Sequence, residues 1–317
     1  MALKKTELLT SATQAAGLLR AGRLVAFGTE TVYGLGADAT NAQAVAGIYE
    51  AKGRPLFNPL ICHFASIEAV FEAVEPSALA ERVAAQFWPG PLTLVLPRRA
   101  NCGIAQLAGV GLPTLAVRVP AHPLALTLLH EVSVPVAAPS ANLSGRISPT
   151  CAAHVLADLA GRIDAVLESG RCLVGLESTV LDLSGKQPLL LRPGGLTHDR
   201  LEELTGPLRS ATTPGAAPQA PGMLNSHYAP SVPVRLNVRT PHAHEAFLAF
   251  GPLPTAASAV FQLSATQDLA EAASRLFEGL HWLDAQQPEA IAVAPIPPQG
   301  LGVAINDRLT RAAAPRD

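Results

Sequence analysis

The sequence predicts an α/β protein, with a twisted mixed sheet and helices in a first domain and a small Rossmann-like α/β second domain. Helical and strand-like patterns alternate up to about residue 204, as they do in α/β domains. Several strand-like segments follow one another without a helix between them, which favours a mixed sheet over a purely parallel one. A proline- and glycine-containing stretch without periodicity, residues 210–231, then precedes a second alternating part. We therefore expect domains at residues 1–206 and 232–317, joined by a linker at residues 207–231.

The helices of the first domain are predicted from capping residues and glycine stops. The segment TSATQAAGLLRAG begins with a Thr or Ser cap and ends at Gly22, and NAQAVAGIYEAKG begins with an Asn cap and ends at Gly53. Residues 67–87 are predicted to form one or two helices interrupted by Pro76. Two further helices are expected at residues 121–131 and 151–159.

Short runs of β-branched and other apolar residues predict the strands. In the first domain these runs are RLVAFG, PLICHF, LTLVLP, TLAVRVP and VPVAAPSAN, followed by STVLDL and LLLRPGG, which resemble a closing pair of strands. In the second domain the runs are VPVRLNV, EAFLAFG, SAVFQLS and EAIAVAPI, and helices are expected at residues 268–283 and 303–314. This alternation is typical of a Rossmann-like layout.

The composition excludes disorder and argues against a nucleic-acid clamp. Hydrophobic residues make up 49% of the 317 residues and charged residues 15%, so a large core is expected. The net charge is −2, whereas proteins that hold nucleic acids by their phosphates are usually basic, so any contact with nucleic acid is expected to be weak or transient. The four cysteines are spread without a C-x-x-C, and the sequence shows neither a signal peptide nor an apolar run of membrane-spanning length. We therefore expect a reduced cytoplasmic location without membrane contact.

The common nucleotide-binding and hydrolase motifs are absent from the sequence. There is no G-x-x-x-x-G-K-[ST], and the two glycines of TVYGLG lack the third glycine of a dinucleotide-binding fingerprint. H-E-x-x-H and G-x-S-x-G are also absent. Any nucleotide site must therefore use another arrangement.

Two neighbouring stretches, ETVYGLG and KGRPLFNPL, combine hydroxyl groups, glycines and cations. TVYGLG lies at a predicted strand end, where Thr31 and two glycines suit a ligand, although an ordinary turn with a packed Tyr33 is the simpler interpretation. Lys52 and Arg54 lie on a proline-stiffened loop that suits phosphate oxygens, with Asn58 as an amide donor. Cations also favour a helix C-terminus, so the residues alone leave both alternatives open.

The strand PTLAVRVP carries a charge within an apolar run. Strand alternation puts Thr114 and Arg118 on one face, roughly 13 Å apart. A buried arginine is unfavourable unless it is paired. Its partner is either a structural carboxylate, such as Glu177 or Asp182, or a carboxylate or phosphate of a ligand.

Polar side chains collect at other predicted strand ends. APSANLSGRISPT offers Ser140 and Ser148, which suit phosphate or ribose but are also typical of turns and helix caps. LESTV contributes Ser178, and LLLRPGG brings Arg192 before two glycines. His63 lies within PLICHF, and a lone histidine in a strand is more often a core residue than a catalyst.

Taken in order, TVYGL, K-x-RP with NPL, PTLAVR, PSAN, STV and RPG resemble the YrdC-type domain of the threonylcarbamoyl-AMP synthases. HYAP after the linker and GLGVAINDRLTRAA resemble the two-domain members of that family, so the resemblance covers nearly the whole chain. It implies a YrdC-like fold and the synthesis of L-threonylcarbamoyladenylate and pyrophosphate from L-threonine, bicarbonate or CO2, and ATP. That product feeds threonylcarbamoyladenosine modification of tRNA by a downstream transferase complex.

Carried over residue by residue, the resemblance implies two adjoining sites. Threonine would be bound by Thr31, His63, Arg118, Ser178 and the backbone near Ala138. ATP would be bound by Lys52, Arg54, Asn58, Thr114, Ser140, Ser148, Arg192 and Tyr228, with Tyr228 folding back from the linker. Lys52, Arg54 and His63 are the implied catalytic residues, and His63 has the free pKa that suits a proton acceptor.

Three further expectations follow. No carboxylate pair is dedicated to Mg²⁺, so the Mg²⁺ that accompanies ATP is expected to be held by the triphosphate and water rather than by the protein. The tyrosine and histidine in the linker suggest a lid, and cutting the chain near Gly215 is then expected to lower activity sharply. The alternatives are an RNA-binding module of YrdC type without synthase activity and a carbamoyl-transfer domain of the hydrogenase-maturation type, which would carry C-x-x-C segments that this sequence lacks.

Overall fold

The computed structural model describes residues 5–210, 227–253 and 257–315. Two sheets organise these residues: an 11-stranded sheet that ends at residue 210, and a four-stranded sheet that begins at residue 234. Most of the predicted linker, residues 211–226, lies outside the described residues. Within the described ranges, no helix is both long and apolar enough to cross a membrane.

The first sheet is mixed, as predicted. Its strands are β1 (Glu7–Leu9), β2 (Val25–Gly28), β3 (Tyr33–Asp38), β4 (Ile61–His63), β5 (Leu92–Pro97), β6 (Thr114–Arg118), β7 (Val136–Ala137), β8 (Ala165–Leu167), β9 (Thr179–Asp182), β10 (Leu189–Arg192) and β11 (Arg209–Ser210). Their spatial order is β1-β8-β2-β3-β7-β4-β6-β5-β9-β10-β11. Strands β4 and β6 pair in parallel, whereas β5 with β6 and the predicted closing pair β9 and β10 are antiparallel.

The helices of the first domain begin and end largely where their caps predict. They are α1 (Ala12–Arg20), α2 (Ala42–Lys52), α3 (Ile67–Ala73), α4 (Ala78–Phe87), α5 (Pro123–Val132), α6 (Ala152–Leu159) and α7 (His198–Thr205). The side chain of Asn41 accepts hydrogen bonds at the start of α2, and Gly53 ends this helix with a φ of 61°. Helix α7 was not predicted. Leu201 is its one buried residue, so the sequence lacks a clear apolar face there.

The predicted glycine loop TVYGLG is instead mostly strand β3, which pairs antiparallel with β2. A Cβ atom on Gly36 would lie 3.0 Å from the Val25 carbonyl oxygen and 2.9 Å from the Phe27 ring. A Cβ on Gly34 would lie 3.1 Å from the Cβ of Ala138. These glycines therefore allow close packing across the sheet, and the turn that precedes them is formed by residues 29–32.

Alternating residues of β6 point to opposite faces of the first sheet, as predicted. Leu115 and Val117 belong to the main hydrophobic core, whereas Ala116 belongs to a small cluster on the other face. Arg118 continues that second face at the end of β6, and His63 lies beside it in the paired strand β4. The cavity described below opens at this end of the strands.

The second domain is a parallel sheet covered by helices, which agrees with the predicted Rossmann-like layout. Its strands are β12 (Val234–Arg235), β13 (Ala246–Phe250), β14 (Ala259–Ser264) and β15 (Ile291–Val293), in the order β12-β15-β13-β14, with helices α8 (Leu269–Ala285) and α9 (Leu301–Ala312). Its hydrophobic core also contains Val32, Ile147 and Leu176 from the first domain. Residues of the first domain therefore contribute to the core of the second domain.

Candidate active site

A cavity that is partly open to solvent lies where the ends of several first-domain strands meet the segment that leads into the second domain. Its lining consists of Thr29, Thr31, Val32, Gly34, Arg54, Ile61, His63, Arg118, Ala138, Pro139, Ser140, Glu177, Ser178, Arg192, His227 and Tyr228. Three of these side chains are arginines and one is a carboxylate. The cavity is therefore suited to an anion.

Nine of the thirteen residues predicted from the sequence line this cavity. They are Thr31, Arg54, His63, Arg118, Ala138, Ser140, Ser178, Arg192 and Tyr228. The other four, Lys52, Asn58, Thr114 and Ser148, are not part of the lining. Three of those four lie directly behind it, bonded to residues of its walls.

Arg118 is anchored by the turn between β2 and β3. Its Nη2 lies 2.6 Å from Glu30 Oε1, its Nη1 donates to Thr31 Oγ1 at 2.9 Å, and its Nε donates to the Gly90 carbonyl oxygen at 3.2 Å. The structural partner is therefore Glu30, and the suggestion of Glu177 or Asp182 was wrong. The sequence could not distinguish these carboxylates because the pairing depends on how a turn from a distant strand folds over β6.

His63 is buried beside Arg118. Burial, reinforced by the charge of Arg118, lowers the pKa of its imidazole to about 3, so the ring is neutral near pH 7. Its Nδ1 has no hydrogen-bond partner among the described residues. Phe27 packs against the ring edge-on, with the ring centroids 6.2 Å apart. In this environment the imidazole of His63 is a weak base.

Arg54 and Arg192 are the other two cations of the lining. Arg54 donates to the carbonyl oxygens of Asn58 and Pro59 at 3.2 and 3.0 Å, and burial lowers its pKa to about 10, which leaves it charged at neutral pH. Arg192 donates to the Ser178 carbonyl oxygen at 2.8 Å from Nη2. Both guanidinium groups are thus oriented by backbone oxygens.

Lys52 has a different setting from the one predicted. Its Nζ donates to the carbonyl oxygens of Ser140 and Asn142, each at 2.5 Å, and its side chain is buried outside the lining. Burial lowers its pKa well below the usual value, and the charge of Arg54 adds to this shift. In this structure Lys52 therefore holds the loop that carries Ser140.

Asn58, Thr114 and Ser148 also lie outside the lining. The Asn58 side chain is fully buried, and neither its amide nitrogen nor its oxygen has a partner in the described part of the chain. Thr114 pairs with Pro97 at the start of β6, at the opposite end of that strand from Arg118. Ser148 Oγ donates to Glu177 Oε1 at 2.5 Å.

Sequence reasoning missed three side chains around the cavity. Glu177 stands next to Ser178 and lines the wall, His227 precedes Tyr228 in the quoted HYAP, and Arg308 lies within the quoted NDRLTRA. Arg308 Nε donates to Glu177 Oε2 at 2.7 Å, so the second domain contributes to this site. The motifs HYAP and NDRLTRA are visible in the sequence, but their contacts with the first domain cannot be predicted from it.

Tyr228 closes one side of the cavity. Its ring stacks on Phe277 of α8 with the centroids 5.5 Å apart, and its backbone has a φ of 62°, which is unusual for a residue other than glycine. The hydroxyl of Tyr228 and Nδ1 of His227 are buried without a hydrogen-bond partner among the described residues. Buried polar atoms in this state are typical of a site that binds a polar ligand.

Metal ligation by this cavity finds little support in its side chains. Both oxygens of Glu177 already accept hydrogen bonds, from Ser148 and Arg308. Among the described residues, a group of His198, Asp199 and Glu202 has the spacing to hold an ion, but it is at the start of α7 and outside the lining.

Two family models together match nearly the whole chain. The model of the Sua5, YciO and YrdC domain, described as "Telomere recombination", matches residues 17–194, and the model described as "Threonylcarbamoyl-AMP synthase, C-terminal domain" matches residues 196–314. A threonylcarbamoyl-AMP synthase of Bacillus subtilis (strain 168) is 41% identical, over 96% of this chain and 93% of its own. The threonylcarbamoyl-AMP synthase of Pyrococcus abyssi is 42% identical, over 95% of this chain and 94% of its own.

A solved structure shares this architecture. The crystal structure of P. abyssi Sua5 complexed with L-threonine matches with a TM-score of 0.89 and 39% identity, and the match covers 98% of this chain and 97% of that one. The likeness therefore includes both domains.

Proposed function

The chain belongs to the two-domain, Sua5-type family of threonylcarbamoyl-AMP synthases, and we propose that it makes L-threonylcarbamoyladenylate and pyrophosphate from L-threonine, bicarbonate or CO2, and ATP. The single observation that carries the proposal for this site is the group of three buried guanidiniums, those of Arg54, Arg118 and Arg192, around one cavity. One amino acid carboxylate and one triphosphate would account for such a group.

Arg118 and Thr31 form the proposed subsite for the threonine carboxylate. Glu30 holds Nη2 of Arg118, so the guanidinium is oriented before the substrate arrives. The edge that Nη1 shares with the Thr31 hydroxyl is where a carboxylate would be received. His63, next to Arg118, would accept a hydrogen bond from the amino group through its available Nδ1.

Arg54 and Arg192 form the proposed subsite for the phosphates. Their neighbours Ser140 and Ser178 line the same cavity and offer hydroxyl donors. Lys52 would act indirectly, by fixing the loop of Ser140, unless ATP draws its Nζ away from the two carbonyl oxygens. Mg²⁺ would accompany ATP, held by triphosphate oxygens and water, and would neutralise phosphate charge.

The proposed chemistry has two steps. The ammonium group of threonine first loses a proton to water. The neutral amine then attacks the carbon of CO2, a C–N bond forms as one C=O π bond opens, a second proton passes from the nitrogen to water, and a carbamate results. A carbamate oxygen then attacks the α-phosphorus of ATP, the bond from that phosphorus to the bridging oxygen breaks, and pyrophosphate leaves. The guanidiniums would stabilise the negative charge on the phosphates, and the cavity would hold the reactants in line, so positioning and electrostatics would supply most of the rate.

We propose that the product is used by a downstream tRNA threonylcarbamoyl-transferase complex, and that direct tRNA contact is weak or transient. The net charge of −2 supports the second point. We also propose a cytoplasmic location, where threonine, bicarbonate and ATP are available. The RNA-binding alternative has no specific observation in its favour, since the arginines of the cavity are buried and do not form an exposed basic stripe.

The test is the incorporation of radiolabelled bicarbonate into a nucleotide product. We expect incorporation, with matching release of pyrophosphate, only when threonine, bicarbonate and ATP are all present. Each other amino acid in place of threonine serves as a control. The proposal would be overturned if pyrophosphate release were the same with and without threonine. It would also be overturned by tight, salt-sensitive RNA binding in a protein that forms no labelled nucleotide.

A further inference from the structure

Arg308 of α9 is a fully buried cation that reaches from the second domain to the first. Its Nε donates to Glu177 Oε2 at 2.7 Å, and its Nη2 donates to the Pro193 carbonyl oxygen at 3.0 Å. Nη1 pairs with Asp307 at 2.5 Å, and the guanidinium carbon lies 5.1 Å from the centre of the Tyr228 ring. A single side chain thus touches the cavity wall and the segment that closes it.

Glu177 is the one carboxylate among the described residues that line the cavity. Its two oxygens accept hydrogen bonds from Ser148, at 2.5 Å, and from Arg308. Neither of these donors belongs to the lining. Without such partners, a buried carboxylate would repel any phosphate placed in the same cavity.

A second contact from the same domain supports this arrangement. His281 of α8 lies with Nε2 3.2 Å from the Ser148 carbonyl oxygen. Its ring also stacks on His154 of the first domain, with the centroids 3.9 Å apart. The second domain therefore holds both members of the Ser148–Glu177 pair, one through each helix.

We infer that Arg308 is a positioning residue for ATP binding: it neutralises and orients Glu177, so that the wall beside Arg192 stays receptive to phosphate oxygens. The inference rests on the proposed function, because it takes the ligand of this cavity to be a nucleoside triphosphate. Arg308 itself does not touch the substrate. It acts through Glu177, and through Pro193, which follows Arg192 in the chain.

Replacing Arg308 by glutamine should remove the positive charge that is hydrogen-bonded to Glu177. We expect ATP to bind at least about tenfold more weakly, with a smaller change in the KM for threonine. Arg308→Lys keeps a positive charge and should bind ATP with intermediate affinity. The double variant Glu177→Gln with Arg308→Gln removes both charges and should return ATP affinity to within about threefold of the wild type.

The pH profile gives a readout that a loss of structure would not produce. Burial raises the pKa of Glu177, and Arg308 and Arg192 together outweigh this effect. In Arg308→Gln that balance is lost, so acidification should protonate Glu177 and strengthen ATP binding, whereas the double variant should show no such gain. The other groups that face Glu177 are Ser148, His227 and Tyr228, and they are the same in both proteins.

A matched control lies within the second domain. Arg235 Nη1 is 3.2 Å from Oε1 of Glu245, whose side chain is buried, and neither residue lines the cavity. Arg235→Gln therefore removes an arginine from a buried glutamate of the same domain without changing the proposed site. We expect its ATP affinity to equal that of the wild type, whatever happens to its thermal stability.

The experiment measures ATP binding to the full chain by equilibrium dialysis, alongside threonine-dependent pyrophosphate release. Weaker binding in Arg308→Gln, recovery in the double variant and no change in Arg235→Gln support the inference. It is overturned if Arg308→Gln binds ATP like the wild type, if the double variant binds no better than the single one, or if Arg235→Gln is equally impaired. If the variants show the expected order of ATP affinities but the wild-type protein makes no product, the proposed function alone is overturned. If the wild-type protein does not bind ATP, both the inference and the proposed function are overturned.

Discussion

Arg118 and Glu30 form a buried ion pair in the wall of the candidate active site, with Nη2 of the arginine 2.6 Å from Oε1 of the glutamate. Glu30 Oε2 has no hydrogen-bond partner among the described residues, so the arginine is the main compensation for this charge. The pair orients the guanidinium while leaving its Nη1 edge toward Thr31. Arg118 therefore pairs with an internal carboxylate and still lines the cavity.

Substitutions of this pair should separate stability from threonine binding. Arg118→Gln leaves Glu30 buried without a partner, so we expect a loss of about 3–5 kcal/mol in the free energy of unfolding and at least about a tenfold rise in the KM for threonine. Glu30→Gln should also destabilise, but it retains the guanidinium and should keep threonine saturation. Denaturant unfolding and steady-state kinetics check both. A wild-type threonine KM in Arg118→Gln would contradict the assignment of the carboxylate subsite.

Acid should destabilise this protein through its buried histidines. Burial lowers the pKa values of His63, His154 and His227 to about 3 and that of His281 to about 4. In the unfolded chain a histidine titrates near 6.5, so between these values the unfolded state binds more protons. The stabilising effect is complete above about pH 6.5 and decreases on acidification, by up to about 1.4 kcal/mol per pH unit for each histidine.

Urea unfolding at a series of pH values from about 7.5 to about 5 checks this expectation. His281→Gln removes one titrating group and should reduce the slope of stability against pH. A free energy of unfolding that does not change over this range would contradict the expected acid sensitivity.

We expect the second domain to be necessary for activity. An unbroken connection between the two domains should matter less. A fragment of residues 1–206 lacks Tyr228 and Arg308 and exposes Val32, Ile147 and Leu176, so we expect it to lose most activity and to bind a dye for exposed apolar surface. The lid hypothesis expects a sharp loss on cutting near Gly215, a position outside the described residues.

Residues 227–229, which follow the proposed cut, are hydrogen-bonded to both domains. The His227 N–H donates to the Arg311 carbonyl oxygen at 3.3 Å, and the Ala229 N–H donates to the Gly145 carbonyl oxygen at 2.9 Å. A cut chain whose two parts stay associated should therefore keep more activity than the fragment. Pyrophosphate release by the two preparations compares them, and equal activity of fragment and full chain would show that neither the lid nor the second domain is needed.

Gly36 should tolerate no side chain, because it lies inside a strand rather than in a ligand loop. An added Cβ would lie 3.0 Å from the Val25 carbonyl oxygen, so we expect Gly36→Ala to lower the free energy of unfolding by about 1–3 kcal/mol. Gly17 in α1 has open space around its Cβ position, and Gly17→Ala should stabilise by about 0.5–1 kcal/mol. Thermal unfolding of both variants checks this, and a neutral Gly36→Ala would contradict the packing described for β3.

Local signals in the sequence account for much of the fold. Asn41 and Gly53 delimit α2 because their side chain and backbone freedom act within one helical turn. The face of Arg118 followed from strand alternation alone. The pairing of Arg118 with Glu30 and of Glu177 with Arg308 could not be predicted, because such contacts join segments that are far apart in the chain and leave no local pattern.

The same limit applies to the candidate site. A basic pair such as Lys52 and Arg54 indicates an anion site, yet Lys52 instead donates to two carbonyl oxygens of a loop some 90 residues away. Its orientation depends on tertiary packing. The sequence could identify which residues gather at the cavity better than it could identify which of them face its interior.

The pair of Glu177 and Arg308 also has a consequence for protein synthesis. The two residues are 131 positions apart, so the ribosome releases the carboxylate long before it makes the cation that offsets it. At the rates typical of translation, that interval lasts roughly 7–26 s. During it, Glu177 lacks the hydrogen bond from Arg308 and the cavity lacks the wall that Tyr228 forms. We therefore expect ATP binding to strengthen as the final helices emerge.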